Sequence, residues 1–446
     1  MTEALPVTAA SSRRQPDAEL TVGKPAHGGH FVARHEGRVV FVRHALEGER
    51  VRVRFTEAEE NASFWRADVV EVLEASPQRT VHPWPHADAL KAAAAGRTAV
   101  GGAEFGHVLL PEQRRLKTVV FQEQLERLAG TERAVSVEPV PGETEDGLGW
   151  RTRAAFSVDP AGRLAMHPHR SHEMVPVHEM PLAVPAINRL RLWGIDLTGI
   201  SRVDAAVGSG AGEPLVLLVP SKGTHPRRAA AVAAAIRDAS VAVLEPETGR
   251  VQRITGRTWL QESVRGVDYR VTGPGFWQIH RGAPEALVGA VLEGLQPAAG
   301  DRVADLYAGA GLFTVPLAHA VGPTGAVLSV EGSAGTVRDA RRNLHGQEQA
   351  AIVQGRVDAA LGRWNEPLDA VLLDPPRTGA GKKVVQQIIA RRPRTVGYVS
   401  CDPASFARDL GYFRRAGWSL DTLRVFDLYP HTHHMESFAR LLPPSA

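Results

Sequence analysis

From residue 282 onward the chain alternates strand-length apolar runs with helix-length segments. The helical pattern "APEALVGAVLEGL" is followed by "RVADLYAGAGLF", then "AVLSVEG", "SAGTVRDARRNL", "AIVQGRV", "DAVLLDPP", "GKKVVQQIIARR" and "TVGYVSC". Short strands joined by helical crossovers pair in parallel, and the right-handedness of each crossover leaves few arrangements besides an open, doubly wound sheet. The closing "SLDTLRVFDLYPHTHHMESFARLL" breaks the alternation. It reads as two strands with a short loop, an antiparallel pair at one edge. The expected fold class is α/β.

The first part of the chain follows another pattern. Residues 19–74 carry short β-branched runs, Val39–Val42, Val51–Phe55 and Ala67–Val72, split by turn residues. That spacing predicts a small five-stranded barrel with Gly28, Gly29, Gly37 and Gly48 at its turns. Arg34, Arg38, Arg43 and Arg52 alternate with its apolar positions and are expected to face a phosphate backbone. After the Pro-rich connector "SPQRTVHPWPH", residues 111–130 place Leu116, Val119, Val120, Leu125 and Leu128 at helical spacing, with Gly130 as the stop. Residues 150–270 mix strands with the helical patterns "INRLRLWG" and "RRAAAVAAAIRDA", an α+β composition. At 446 residues more than one core is expected. The division reads as a disordered tail at 1–17, the barrel at 18–76, the middle domain at 77–270 and the α/β domain at 271–446. The helix at 111–130 is expected to pack on the last of these.

Composition excludes several classes. Apolar residues make up 43% and charged residues 23%, which fits a folded globular chain. No apolar run is long enough to span a bilayer. The first twenty residues lack the basic and apolar regions of a signal peptide. A cytoplasmic protein with no membrane partner is the expectation. Net charge is +3, and only 6 of the 52 basic residues are Lys. Arginine richness of that kind reads as coding bias, so it permits RNA binding without demonstrating it. The single cysteine rules out an intrachain disulfide and any multi-cysteine metal site.

Ligands of doubly wound sheets lie at the carboxyl ends of the strands. One strand ends in Asp305-x3-Gly309-x-Gly311, a glycine turn that departs from the dinucleotide fingerprint because residue 314 is Thr. The next ends in Glu331, an acid suited to accept hydrogen bonds from ribose hydroxyls. Others end in Asp374-Pro-Pro-Arg377 and in Ser400-Cys401-Asp402-Pro403. Cysteine is often no more than a small buried residue. At a strand's carboxyl end it stands where a thiolate nucleophile belongs. His431, His433 and His434 read as flanking Glu436 or lining a channel, and no metal site is expected. His167, His169 and His172 read as RNA-facing or solvated, and "RRLKTVV" as a solvated helix face.

Asp374-Pro-Pro-Arg, Ser400-Cys401-Asp402-Pro403, "HTHHMESFARL" and "PGFWQIHRGAPEALV" together resemble the S-adenosylmethionine-dependent RNA uracil-5-methyltransferases. The likeness covers nearly the whole chain, and the barrel is similar to a TRAM domain. The resemblance implies a Rossmann-like class I methyltransferase domain behind an RNA-binding barrel. By the same matching, Cys401 is the nucleophile and Glu436 the base. Gln278, Tyr307, Glu331, Asp358 and Asp374 are the cofactor contacts, and Leu312 contributes at most a backbone contact. The expected reaction is methyl transfer to C5 of a uridine through a covalent Cys401–C6 adduct. The RNA is expected to be 23S ribosomal RNA, with transfer RNA as the other choice. Many members bind an iron–sulfur cluster; the matching positions here are Trp84, Val100, Ala103 and Met180, so none is expected. A monomer without protein partners is implied. Two other readings stay open: methylation of another RNA base, and an RNA-binding protein that has lost activity.

Overall fold

The computed structural model describes residues 16–445. The expected tail at 1–17 lies, but for its last two residues, outside that range. The chain divides into two compact units, one ending at Leu109 and the other starting at Leu110.

In the first unit the strands run Ala18–Thr21, Arg50–Glu57, Phe64–Glu74, Arg38–Arg43, His30–His35 and Pro25–Ala26 in sheet order. Residues 18–21 pair with 50–53, whereas Gly23 and Lys24 exchange backbone bonds with Val32. One bent strand therefore belongs to both ends of the sheet and closes it, which gives the five-stranded barrel that the alternation predicted. The unit extends past residue 76. Arg79 forks onto the buried Glu49 at 2.6 and 2.7 Å, and His107 Nε2 lies 3.2 Å from the Ala45 carbonyl.

The four arginines expected to face phosphate each have a partner within the barrel. Arg43 is held bidentately by Asp68, and Arg52 pairs with Glu19 and Glu71. Arg38 donates to the carbonyls of Glu59, Glu60 and Ala62 and lies over Trp65, while Arg34 donates to the Gly37 carbonyl. Acids on neighbouring strands neutralise Arg43 and Arg52, whereas Arg34 and Arg38 donate to neutral carbonyls and keep their charge.

The second unit holds two large sheets. The seven-stranded one runs from Val175–Pro176 to Val251–Thr255 and is antiparallel except where Leu215–Pro220 pairs with Ser240–Leu244. The hairpin Trp259–Val264/Val267–Thr272 follows. It is tied down by Asn343, which accepts from the Arg270 N–H, and by Asp339, which accepts from the Thr272 N–H and hydroxyl.

The eight-stranded sheet has the order Ala350–Gln354, Ala326–Glu331, Arg302–Leu306, Ala370–Leu373, Thr395–Ser400, Glu436–Leu442, Ser419–Phe426 and Val137–Glu138. The first five are parallel. Their side chains alternate between two apolar layers: Leu306, Val330 and Leu373 face one, Val303, Val327 and Leu372 the other. Glu436–Leu442 and Ser419–Phe426 form the expected antiparallel pair, but Val137–Glu138 adds a further strand outside it. The helix Ala283–Leu295 lies close against this sheet. A Cβ on Gly294 would come within 2.2 Å of the Phe438 ring, so only glycine fits.

Strand order reverses between Arg302–Leu306 and Ala370–Leu373. That switch point opens a crevice at the strands' carboxyl ends.

Candidate active site

Six of the seven residues singled out from sequence lie along that rim. Tyr307 follows the strand Arg302–Leu306 and has φ +66°; its N–H donates to the Val330 carbonyl at 2.9 Å. The chain then turns through Gly309, φ +57°, where an added Cβ would meet nothing within 4 Å. Glu331 ends the adjacent strand and spans the turn. Its Oε2 accepts from the Gly309 N–H at 3.0 Å and its Oε1 from the Ser333 N–H at 2.6 Å. Each oxygen keeps a lone pair for a further donor. Asp358 lies beyond the edge strand Ala350–Gln354. Its carboxylate is taken by Arg356 and Lys383, which hold it well below the usual carboxylate range.

Asp374 follows Ala370–Leu373 and donates its N–H to the Leu306 carbonyl at 3.2 Å. Two prolines fix the chain after it, and Arg377 comes next. Cys401 follows Thr395–Ser400 and stands one residue before Asp402, whose carboxylate caps the helix Pro403–Arg415 by accepting from the Ser405 N–H at 2.7 Å. Proline at the first helical position completes that start. Glu436 is distant in sequence but not in space. The antiparallel register aligns Ser400 with Ser437, so the residue after one strand's end meets the residue that opens the other.

The electrostatics connect these groups. Burial, then the charge of Glu436 and Asp374, pushes the Cys401 thiol up to about 12. Burial and Asp374 raise the Glu436 carboxyl well above its ordinary value, against the Tyr429 hydroxyl that donates to it at 3.2 Å and against Arg377. Asp374 is raised by burial and by Asp305. Gln278 is buried in the segment before the helix Ala283–Leu295, and its amide bonds to none of the other six.

Sequence reasoning passed over four contributors. Asp305 is fully buried; Thr314 donates to one oxygen at 2.5 Å, the other has no partner, and burial lifts its pKa to about 7. Arg377 is the cation that opposes the raised thiol, and it approaches His434 at 3.5 Å. Tyr429 grips Glu436. Lys117, expected on a solvated face, is buried with its ammonium 2.5 Å from Asp427 and 3.1 Å from the Tyr429 carbonyl. The signal for Arg377 and Tyr429 was present, since both lie within or beside the motifs that carry the resemblance. His431 is likewise internal: Gln113 accepts from its N–H at 2.7 Å and its Nε2 lies 2.8 Å from the Asp146 carbonyl. His167 bonds Ser157 and the Glu173 carbonyl and is spent on its hairpin.

The rim suits S-adenosylmethionine. Asp305 is fully buried and Asp374 half-buried, neither forms an ion pair among the described residues, and Asp305 has an orphaned oxygen. A ligand carrying a sulfonium and an ammonium supplies the missing positive charge. The glycine turn leaves space for a close ligand, and Glu331 offers the acceptors that a ribose diol needs.

A family model described as TRAM domain matches residues 18–70. One described as tRNA (Uracil-5-)-methyltransferase matches residues 356–442, the stretch with Asp374, Cys401 and Glu436. A third, Protein-L-isoaspartate(D-aspartate) O-methyltransferase, matches residues 279–390, which include the glycine turn. An uncharacterized RNA methyltransferase of Streptomyces avermitilis is 43% identical over 435 residues, covering 95% of this chain and 98% of that protein. A protein of Alkalilimnicola ehrlichii named 23S rRNA (uracil(1939)-C(5))-methyltransferase RlmD is 29% identical, covering 94% and 95%. The crystal structure of Pyrococcus abyssi tRNA (uracil-54, C5)-methyltransferase with S-adenosyl-L-homocysteine superposes with a TM-score of 0.70 at 22% identity, covering 95% and 99%, a likeness of fold. No helix among the described residues is long and apolar enough to cross a membrane. Trp84, Val100, Ala103 and Met180 are all buried apolar side chains, and one cysteine cannot ligate an iron–sulfur cluster. The chain belongs to the S-adenosylmethionine-dependent RNA uracil-5-methyltransferases that carry a TRAM domain.

Proposed function

We propose that the protein methylates C5 of one uridine in 23S ribosomal RNA through a covalent adduct between the Cys401 sulfur and C6. The observation that carries this reading is the register that sets Cys401 against Glu436. The choice of ribosomal RNA rests on the name and near-complete coverage of the Alkalilimnicola relative. The protein acts as a monomer in the cytoplasm.

Uracil C5 is too weak a nucleophile to take a methyl group unaided. Addition of the thiolate to C6 turns the ring into an enolate whose C5 is nucleophilic. S-adenosylmethionine supplies the electrophilic methyl group, and Gln278, Tyr307, Glu331, Asp358 and Asp374 are assigned to hold it. Glu436 then takes the C5 proton, and the electron pair of that C–H bond re-forms C5=C6 as the Cys401 thiolate leaves. A thiol raised to about 12 is not ionised at rest. Its ionisation awaits positive charge beside Asp374 and Glu436, so adduct formation follows binding. Tyr429 and Arg377 both favour the ionised Glu436 that proton abstraction needs.

RNA with 5-fluorouridine at the target tests the mechanism. Fluorine at C5 cannot leave as a proton, so an adduct that survives denaturing electrophoresis should form with wild-type protein and cofactor. Cys401→Ser should lose both adduct and 5-methyluridine. Glu436→Gln should keep addition and methyl transfer, so adduct should accumulate on ordinary uridine RNA. Near-wild-type 5-methyluridine from Cys401→Ser sinks the assignment. Nucleoside mass spectrometry that finds 5-methylcytidine or an N-methylated base identifies another reaction.

A further inference from the structure

The second unit contains a cleft of about 560 Å³ outside the rim, whose lining includes Arg189, Arg191, Trp193, Asp146 and Leu148. Arg189 ends the short helix Pro185–Arg189, and Trp193 lies in the 3-10 turn Leu192–Gly194. Both arginines are exposed, and neither guanidinium makes a hydrogen bond or ion pair among the described residues. The barrel's Arg43, Arg50, Arg52, Arg54 and Arg66 differ in this respect, since each pairs with a carboxylate. Arg191 also has φ +48°, a left-handed conformation that non-glycine residues avoid. Other polar groups of the cleft are engaged by the backbone. Asn188 bonds the Met180 and Ala183 backbone, and Asp146 Oδ1 accepts from the Leu148 N–H.

The cleft is joined to the catalytic loop. The Asp146 carbonyl on its wall is the group that meets His431 Nε2, and His431 lies five residues before Glu436 on the same loop. The same cleft carries the half-buried indole of Trp193 and the two uncommitted guanidinium groups.

We propose that this cleft holds an unstacked nucleotide of the substrate RNA, close in sequence to the target uridine, with its base on Trp193 and its phosphates on Arg189 and Arg191. Single-stranded segments are bound by this combination of an aromatic platform and cations along the backbone. The inference rests on the RNA methyltransferase reading and adds where the flanking strand is held.

The test uses the full-length protein and the shortest RNA fragment that it methylates. Trp193→Ala should weaken RNA binding roughly tenfold, and Trp193→Phe should recover most of that loss. Arg189→Ala with Arg191→Ala should weaken binding and flatten the dependence of log K on log salt by about 1.4, or roughly 0.7 for each phosphate no longer neutralised. Cofactor affinity and the rate at saturating RNA should stay within about twofold of wild type. Trimming the flanking nucleotides from the fragment should weaken binding by an amount that does not add to the effect of Trp193→Ala. Unchanged RNA affinity and salt slope in the variants would overturn the proposal while leaving the enzyme's function intact. So would a fall in rate at saturating RNA with affinity unchanged, which would mean that the cleft only braces the His431 loop. If wild-type protein makes no 5-methyluridine in any RNA, the functional reading fails first, and this inference goes with it.

Discussion

Cys401, Asp305, Asp374 and Glu436 are each pushed toward the uncharged form, chiefly by burial. A carboxyl with its pKa raised to about 7, as at Asp305, is neutral below that pH and anionic above it. Only the anion attracts a cation. Affinity for S-adenosylmethionine should therefore rise as pH climbs from about 6 to 8, and binding should release protons. Calorimetry in two buffers of different ionisation enthalpy measures both; a flat Kd without proton release would show that these acids do not face the cofactor's charge. Glu331 carries a separate prediction. A charged hydrogen bond to a ribose hydroxyl contributes ~1.5–3 kcal/mol, so Glu331→Ala should weaken cofactor binding by roughly tenfold or more. Glu331→Gln should lose less, because it keeps one acceptor for the Gly309 N–H. Wild-type affinity in Glu331→Ala would remove the residue from the site. Strand ends and residue chemistry made Glu331, Asp374 and Cys401 visible in the sequence. The pairing of Cys401 with Glu436 came from family likeness, because a register between strands far apart in the chain leaves no local trace. Asp305 was visible as part of the glycine motif, but its orphaned oxygen was not.

The helix Leu110–Gln124 shows where periodicity is informative and where it is silent. Its extent was legible, as was its end at Gly130, φ +61°, after the π-turn Leu125–Ala129. Leu116, Val120 and Leu125 are buried as the spacing implied, but Leu128 is 41% exposed. The polar residues of "RRLKTVV" were misread for a physical reason: a lysine in a helical pattern is almost always solvated, and only a partner some 310 residues away makes Lys117 an exception. Gln113, Arg114 and Lys117 together grip the loop that begins at Asp427. Arg114 bridges Asp427 and Glu143, Gln113 holds His431, and Lys117 holds Asp427 and the Tyr429 carbonyl. The Tyr429 hydroxyl in turn reaches Glu436. Removing one partner of a buried pair typically costs ~3–5 kcal/mol. Lys117→Met should lower thermal stability, with Arg114 limiting the loss. Among molecules that remain folded, the pH profile of methyl transfer should move to higher pH, because Glu436 loses a well-placed hydrogen-bond donor to its ionised form. A pH profile that stays unmoved despite lower stability would confine Lys117 to a structural role. Asp409 acts similarly on the other side of Cys401. Fully buried, it accepts from the Tyr398 hydroxyl and from the Ala380 and Gly381 N–H groups, joining the strand that ends before Cys401 to the loop after Asp374-Pro-Pro-Arg.

At the scale of the whole molecule, the α/β class, the switch-point crevice and the closed barrel were all legible, because alternation fixes which strands are parallel and turn spacing fixes where hairpins fall. The use of charge was not. Composition shows many arginines but cannot show which ones have acids across a strand. In the barrel, Arg50, Arg52, Arg54 and Arg66 pair with Glu19, Glu71, Glu74, Asp17 and Glu57. An ion-paired arginine displaces few counterions from RNA, because its charge is already balanced. Besides these pairs the barrel carries half-buried rings, His35, Phe41, Phe55 and Phe64, in edge and tilted arrangements. Its contribution to RNA binding should accordingly be stacking and shape, with little dependence on salt. The unit that contains it ends at Leu109, so a clean deletion removes residues 1–109 rather than stopping at 76. The remainder keeps both apolar layers of the catalytic sheet, and retained S-adenosylmethionine binding reports that it has folded. RNA affinity of the deletion should fall while the slope of log K against log salt stays near that of the intact protein, since the slope counts neutralised phosphates. The same slope should drop when Arg189 and Arg191 are replaced. If deleting residues 1–109 flattens the slope by more than those two substitutions do, the barrel's ion pairs open on RNA, and its arginines bind phosphate after all.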